Sequence, residues 1–146
     1  MSTTKPDQVP VVAVGGVVLN SGPRVLLAKR GQPPMAGRWS LPGGRVRVGE
    51  TLIAAVEREV LEETGIRVAA DRLVDVVEIM TEGFHYVIHD YLCTPLDPSA
   101  TPVAADDVSD ARYATPTEMS SLGVSDEVAR VVMKAVAMRQ ALDDDE

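Results

Sequence analysis

Residues 58–65 read REVLEETG, and this octet constrains the fold more than any other stretch. Glu59, Glu62 and Glu63 stand at i, i+3 and i+4, so a helix through them gathers three carboxylates within an arc of about 100°. Each like-charge pair at that spacing costs an isolated helix about 0.2–0.5 kcal/mol. Arg58 and Glu57 fall elsewhere on the wheel, so the nearest cation does not sit at the centre of the trio. The compensation has to come from outside the helix. Its limits are written locally: Thr51 is a good N-cap and Gly65 a good stop, which predicts a helix over about 51–64. Upstream, the Pro42-Gly43-Gly44 step of SLPGGRVRVGET excludes regular structure and predicts a loop.

The rest of the chain alternates strand and turn signals. VVAVGGVVL (11–19), the turn NSGP (20–23) and RVLLAKR (24–30) predict a β-hairpin. GQPPMAGRW (31–39) predicts an exposed loop. IRVAA, LVDVVEIM and FHYVIHDYLC predict three strands, the last two joined around Gly83. Residues 94–110, with three prolines and several acids, predict a long loop, and ARY (111–113) one more short strand. Thr115, Pro116 and Glu118 form a capping box with proline at the first helical position. Ser125 caps a last helix to about Leu142, with Val128, Val131, Val132, Ala135 and Met138 on one packing face.

Composition narrows the class. A chain of 146 residues with 45% hydrophobic and 25% charged residues suits one globular domain spanning 1–146, with flexible ends at 1–8 and 143–146. A formal charge of −8 argues against a nucleic-acid polymer as partner, because phosphate neutralisation needs a basic face. The absence of a signal-like or ~20-residue apolar run predicts no membrane association and a cytoplasmic protein. The one cysteine, Cys93, lies in an apolar run and reads as a small buried side chain. His85 and His89 are four apart on a strand and so share a face, with no third ligand spaced to join them.

What precedes the trio names a family. From Gly44 to Ile66 the sequence GRVRVGETLIAAVEREVLEETGI has a glycine, five residues, Glu50, seven residues, then Arg58-Glu59-Val60-Leu61-Glu62-Glu63-Thr64-Gly65-Ile66. This resembles the Nudix box at every position, and VLLAKR…GRWSLPGG is similar to the family's approach to that box. The resemblance implies an α/β chain, a Nudix-type α/β/α sandwich with a mixed β-sheet and a catalytic loop-helix-loop. It implies Mg²⁺ (or Mn²⁺) held by Glu59, Glu62, Glu63 and the Gly43 carbonyl, and hard oxygen donors suit those ions. It assigns the catalytic machinery to Glu59 and Glu63, with Glu50 and Arg58 as a supporting bridge.

The implied reaction is hydrolysis of the pyrophosphate linkage in a nucleoside diphosphate derivative. A box glutamate is the expected base, with Asp106, Asp107 and Asp110 as alternatives. Of the arginines around the box, Arg30, Arg38, Arg45 and Arg47, Arg30 and Arg45 are the first candidates for substrate phosphates. Trp39, Phe84, Tyr86, Tyr91 and Tyr113 are the only aromatic residues available for stacking. FHYVIHDY is similar to segments of small family members acting on ADP-ribose, which makes ADP-ribose or a related nucleotide sugar the expected substrate. (Deoxy)nucleoside triphosphates, oxidised ones included, are the alternative, and a non-catalytic nucleotide sensor is a third reading. The partner is a small-molecule nucleotide, and a homodimer is in keeping with the family.

Overall fold

The computed structural model describes residues 9–145. Seven strands, β1 (Val11–Asn20), β2 (Arg24–Arg30), β3 (Trp39–Ser40), β4 (Gly43–Arg45), β5 (Val68–Thr81), β6 (Phe84–Pro95) and β7 (Val108–Ala114), share one sheet with three helices. The helices are α1 (Leu52–Thr64), α2 (Pro116–Leu122) and α3 (Asp126–Asp144). The sheet path runs β3-β2-β1-β6-β5, with β4 also paired to β1 and β7 to β2. β1 and β6 are parallel and the other pairs antiparallel, so the sheet is mixed.

Alternation along the strands builds two cores, because successive side chains point to opposite faces. Val14, Val18, Leu26 and Cys93 join Ala55, Val56 and Val60 of α1 on one face. Val17, Leu27, Val77 and Leu92 join Met119 of α2 and Val131, Val132 and Ala135 of α3 on the other. Helices therefore cover both faces, an α/β/α sandwich. Among the described residues no helix is long and apolar enough to cross a membrane.

The helix limits follow their local signals. Thr51 Oγ1 accepts from Ala54 N at 3.1 Å, and Gly65 (φ 71°) donates its N–H to Leu61 O at 2.9 Å. Thr115 and Glu118 close the capping box at 2.9 and 3.2 Å, and Ser125 caps α3 through Val128 N. α3 continues through Asp144, two residues past the expected end, while 1–8 and 146 lie outside the described residues.

Three expectations change. Gly43–Arg45 is not loop: it pairs with Ala13–Gly15 of β1 as β4. IRVAA and LVDVVEIM are not separate strands but one β5, whose register against β6 shifts at Ala70/Arg72 and Leu73/Asp75. Each shift inserts an extra residue, so a break in alternation here marks a bulge instead of a strand end. The expected long loop after Thr94 shortens at both ends, because β6 reaches Pro95 and β7 begins at Val108.

Candidate active site

The turn into α1 is held under β1 by close backbone contact. Gly16 N donates to Pro42 O at 2.9 Å, and a Cβ at Gly43 would fall 2.0 Å from Val14 O, so only glycine fits there. Gly43 N in turn donates to Glu63 Oε1 at 2.9 Å. A Cβ at Gly44 would lie 2.5 Å from Glu59 Oε2, which shows how closely that carboxylate rests on the β4 backbone. Two glycines thus let the C-terminal half of α1 press its acids against the sheet edge.

Arg58 joins the remaining acids. Its guanidinium grips Glu50 with two bonds, Nε to Oε2 at 2.6 Å and Nη2 to Oε1 at 2.9 Å. Nη1 donates to Glu59 Oε1 at 2.7 Å and to Glu62 Oε2 at 3.3 Å, and Nη2 reaches Arg45 O. This corrects the helical-wheel expectation in part: Arg58 reaches two of the trio, Glu59 and Glu62, because its long side chain crosses the angular gap that its Cα leaves open. Glu62 is the outermost of the three, 35% exposed at its side chain and also 3.6 Å from Arg47.

Burial divides these acids. The bonds from Arg58, followed by the Arg47 backbone N–H, hold Glu50 down at about 2. Burial pushes Glu59 up, against the pull of Arg58, and Glu62 and Asp106 add to the rise. Glu63, only 8% exposed, is pushed up to about 7, chiefly by burial. The Gly43 N–H and Arg30 oppose that rise, while Glu59 and Asp106 add to it. Asp106, at φ 58°, is thereby the loop aspartate whose field reaches both box glutamates. Asp107 lines the neighbouring cleft, and Asp110 accepts its own neighbour's N–H from Ala111.

Among the described residues no three acidic, histidine or cysteine side chains stand close enough to enclose a metal ion unaided. The donor chemistry nevertheless suits one. Glu59 and Glu63 are partly desolvated carboxylates, each raised further by a neighbouring acid, Glu59 by Glu62 and Glu63 by Glu59, and a hard divalent cation relieves that repulsion. Histidines do not join them: His85 Nε2 is 3.0 Å from Glu78, and His89 Nδ1 is 3.3 Å from the Ala13 carbonyl.

Beside the acids opens a cleft of about 810 Å³. Glu59, Glu63, Arg30, Arg38 and Arg45 belong to its polar lining, and Trp39, Ile79, Phe84, Tyr86 and Val131 to its apolar lining. Arg30 Nε donates to Pro34 O at 2.6 Å, which holds the guanidinium near Glu63. Arg45 lies 5.7 Å from the Tyr86 ring centre and donates to its hydroxyl at 3.3 Å. Tyr91 and Tyr113 pack instead on the α1 core. Sequence reasoning passed over Asp90, 5% exposed and lining the cleft. Its signal was parity: Phe84, Tyr86, Ile88, Asp90 and Leu92 share one face of β6, and an acid among them is out of place.

Comparison with known proteins places this geometry. A model of the NUDIX domain matches residues 9–136. A Mycobacterium tuberculosis protein named as a candidate 8-oxo-dGTP diphosphatase is 52% identical over 60 residues, 40% of this chain and 41% of that protein. The ADP-ribose pyrophosphatase of Methanocaldococcus jannaschii is 47% identical over 57 residues, 39% of this chain and 33% of that one. The matches thus span well under half the length of these curated relatives. The crystal structure of a MutT NUDIX hydrolase from Burkholderia pseudomallei, 28% identical, covers 87% of this chain and 98% of its own, with a TM-score of 0.71. With its box glutamates folded against a glycine turn and its family match running almost from end to end, the chain belongs to the NUDIX domain family.

Proposed function

We propose that this protein is a metal-dependent hydrolase that cleaves the pyrophosphate linkage of a nucleoside diphosphate derivative, with ADP-ribose or a related nucleotide sugar first among substrates. The observation that carries the reading is Glu63: a buried carboxyl pushed up to about 7 beside Glu59, at the edge of a cleft large enough for a nucleotide. Glu59, Glu62, Glu63 and the Gly43 carbonyl would hold Mg²⁺ or Mn²⁺. Such a cation, when bound, lowers the pKa of water and offsets phosphate charge.

The chain's own residues supply the rest. Arg58, fixed by Glu50, keeps Glu59 turned toward the cleft edge. Arg30 and Arg45 suit phosphate oxygens, since guanidinium forks match their geometry. A box glutamate takes the proton of the attacking water, and Asp106 is the alternative base because its field already reaches both. Trp39, Phe84 and Tyr86 offer apolar contact to the parts of the substrate beyond its phosphates.

A second reading, hydrolysis of (deoxy)nucleoside triphosphates, is supported by the name of the Mycobacterium tuberculosis relative. Both are tested by incubating the protein with ADP-ribose, the common deoxynucleoside triphosphates and 8-oxo-dGTP in Mg²⁺ or Mn²⁺. AMP with ribose 5-phosphate is expected from the first substrate. Pyrophosphate released only from triphosphates favours the second reading, and no turnover of any of them overturns both.

A further inference from the structure

Asp90 has no part in the acidic end of the cleft, yet its surroundings are specific. The residue is buried, 5% exposed, and its carboxyl forms no hydrogen bond or ion pair among the described residues. It lines the cleft together with Ile88 and Val131. Gly15 makes the space: a Cβ there would sit 2.2 Å from Asp90 Oδ1. The charged groups facing it are Asp75 on β5 and Glu127 and Arg130 on α3. Arg130 is bonded to Asp75 at 2.8 Å and to Glu127 at 2.7 Å and makes no bond to Asp90. Burial first, then Asp75 and Glu127, push the Asp90 carboxyl up to about 7 against the weaker pull of Arg130.

A desolvated carboxyl with two acids for neighbours and no free cation favours its neutral form. In that form it presents one donor beside one acceptor; ionised, it presents two acceptors. Adenine's outer edge, ring N1 beside the exocyclic amino group, complements the neutral pair. Guanine's edge, N1–H beside its amino group, asks for the ionised one. The strand also separates the two: four residues along β6 place the Tyr86 and Asp90 backbones about 13 Å apart in the same cleft.

We propose that Asp90 selects the base of the bound nucleotide and that it selects adenine, donating to ring N1 and accepting from the exocyclic amino group at the inner end of the cleft. The base then lies against Ile88 and Val131, and the stacked Phe84 and Tyr86 rings are left to the other moiety of the substrate. This rests on the nucleotide reading of the cleft, and it adds the residue that reads the base.

The test is calorimetric titration of the full chain with AMP and with GMP from pH 6 to pH 8, over which the two nucleotides carry the same phosphate charge as each other at every pH. Below pH 7 AMP should bind about tenfold or more tighter than GMP, the cost of leaving buried polar edges mismatched. Above its pKa the wild-type carboxyl must take up a proton to bind AMP, so the preference for AMP should shrink by up to about tenfold from pH 7 to pH 8. Asp90→Asn keeps one donor and one acceptor. It should retain AMP binding within a few-fold while losing both the pH slope and the proton uptake seen by changing buffer. Asp90→Leu, folded by circular dichroism, should lose the preference for AMP. GMP binding as tightly as AMP below pH 7, an unchanged slope in Asp90→Asn, or an unchanged preference in Asp90→Leu each overturns the proposal. Turnover of ADP-ribose without any base preference breaks this proposal alone. Asp90-dependent AMP binding without turnover breaks the hydrolase reading alone, and no binding of either nucleotide breaks both.

Discussion

Glu50 precedes α1 and Glu63 lies in its last turn, and burial and pairing drive the two carboxyls in opposite directions. Glu50 meets the Arg58 fork at 2.6 and 2.9 Å and is held at about 2. Glu63 is buried with one backbone N–H for a partner and rises to about 7. Asp90, on the far side of the sheet from α1, behaves as Glu63 does. The same functional group is thus a fixed anion where a guanidinium is within bonding distance, and a proton carrier where burial outweighs its partners.

The largest way to break that contrast is to remove the proton carrier from the catalytic end. Glu63→Gln is expected to lower kcat by about 10²–10⁴-fold, the usual worth of a positioned acid or base, with the far-UV spectrum unchanged. Steady-state hydrolysis of ADP-ribose measures it, and a variant as fast as the wild type removes Glu63 from the machinery. Arg58→Met strikes the fixed-anion side. It leaves Glu50, Glu59 and Glu62 without their shared cation, and a drop of about 10–100-fold in activity is expected, as for other groups that orient a ligand. A lowered melting temperature should accompany it.

Proton linkage sharpens the comparison without touching activity. Glu63 and Asp90 hold protons in the folded chain up to about pH 7, whereas their ordinary values are 4.5 and 3.8. Between those limits the native state binds more protons than the unfolded one, so without metal the stability should fall as pH rises from about 4 to about 7. Glu50 acts in the opposite sense: its contribution, present above its ordinary 4.5, is lost as pH falls through about 2. Thermal melts in EDTA between pH 5 and 8 should show the decline, and Asp90→Asn should flatten part of it. A melting temperature that climbs over this range contradicts the burial argument.

The smallest effects come from two glycines. Gly44→Ala places a methyl on Glu59 Oε2 and Gly15→Ala places one on Asp90 Oδ1. Both meet side-chain atoms that can turn, so each should cost only a few-fold. Gly44→Ala should act on kcat and Gly15→Ala on the affinity for AMP. If both move the same parameter, the two ends of the cleft are not separate.

The sequence alone determined what lies within a turn or two of itself. Thr51, Gly65, the Thr115–Glu118 box and Ser125 set helix ends because a cap bonds atoms three or four residues away. The Glu50–Arg58 bridge, eight residues apart, was implied by the family resemblance and is formed in the structure. Tertiary structure decided the rest. Residues 43–45 became a strand only because β1 was there to pair with, and two apparent strands became one β5 only along β6. Burial set the proton affinities of Glu63 and Asp90, and Asp106 came within reach of the box by folding back from more than forty residues downstream. Charge state depends on dielectric and on neighbours distant in the chain, and no local spacing encodes either.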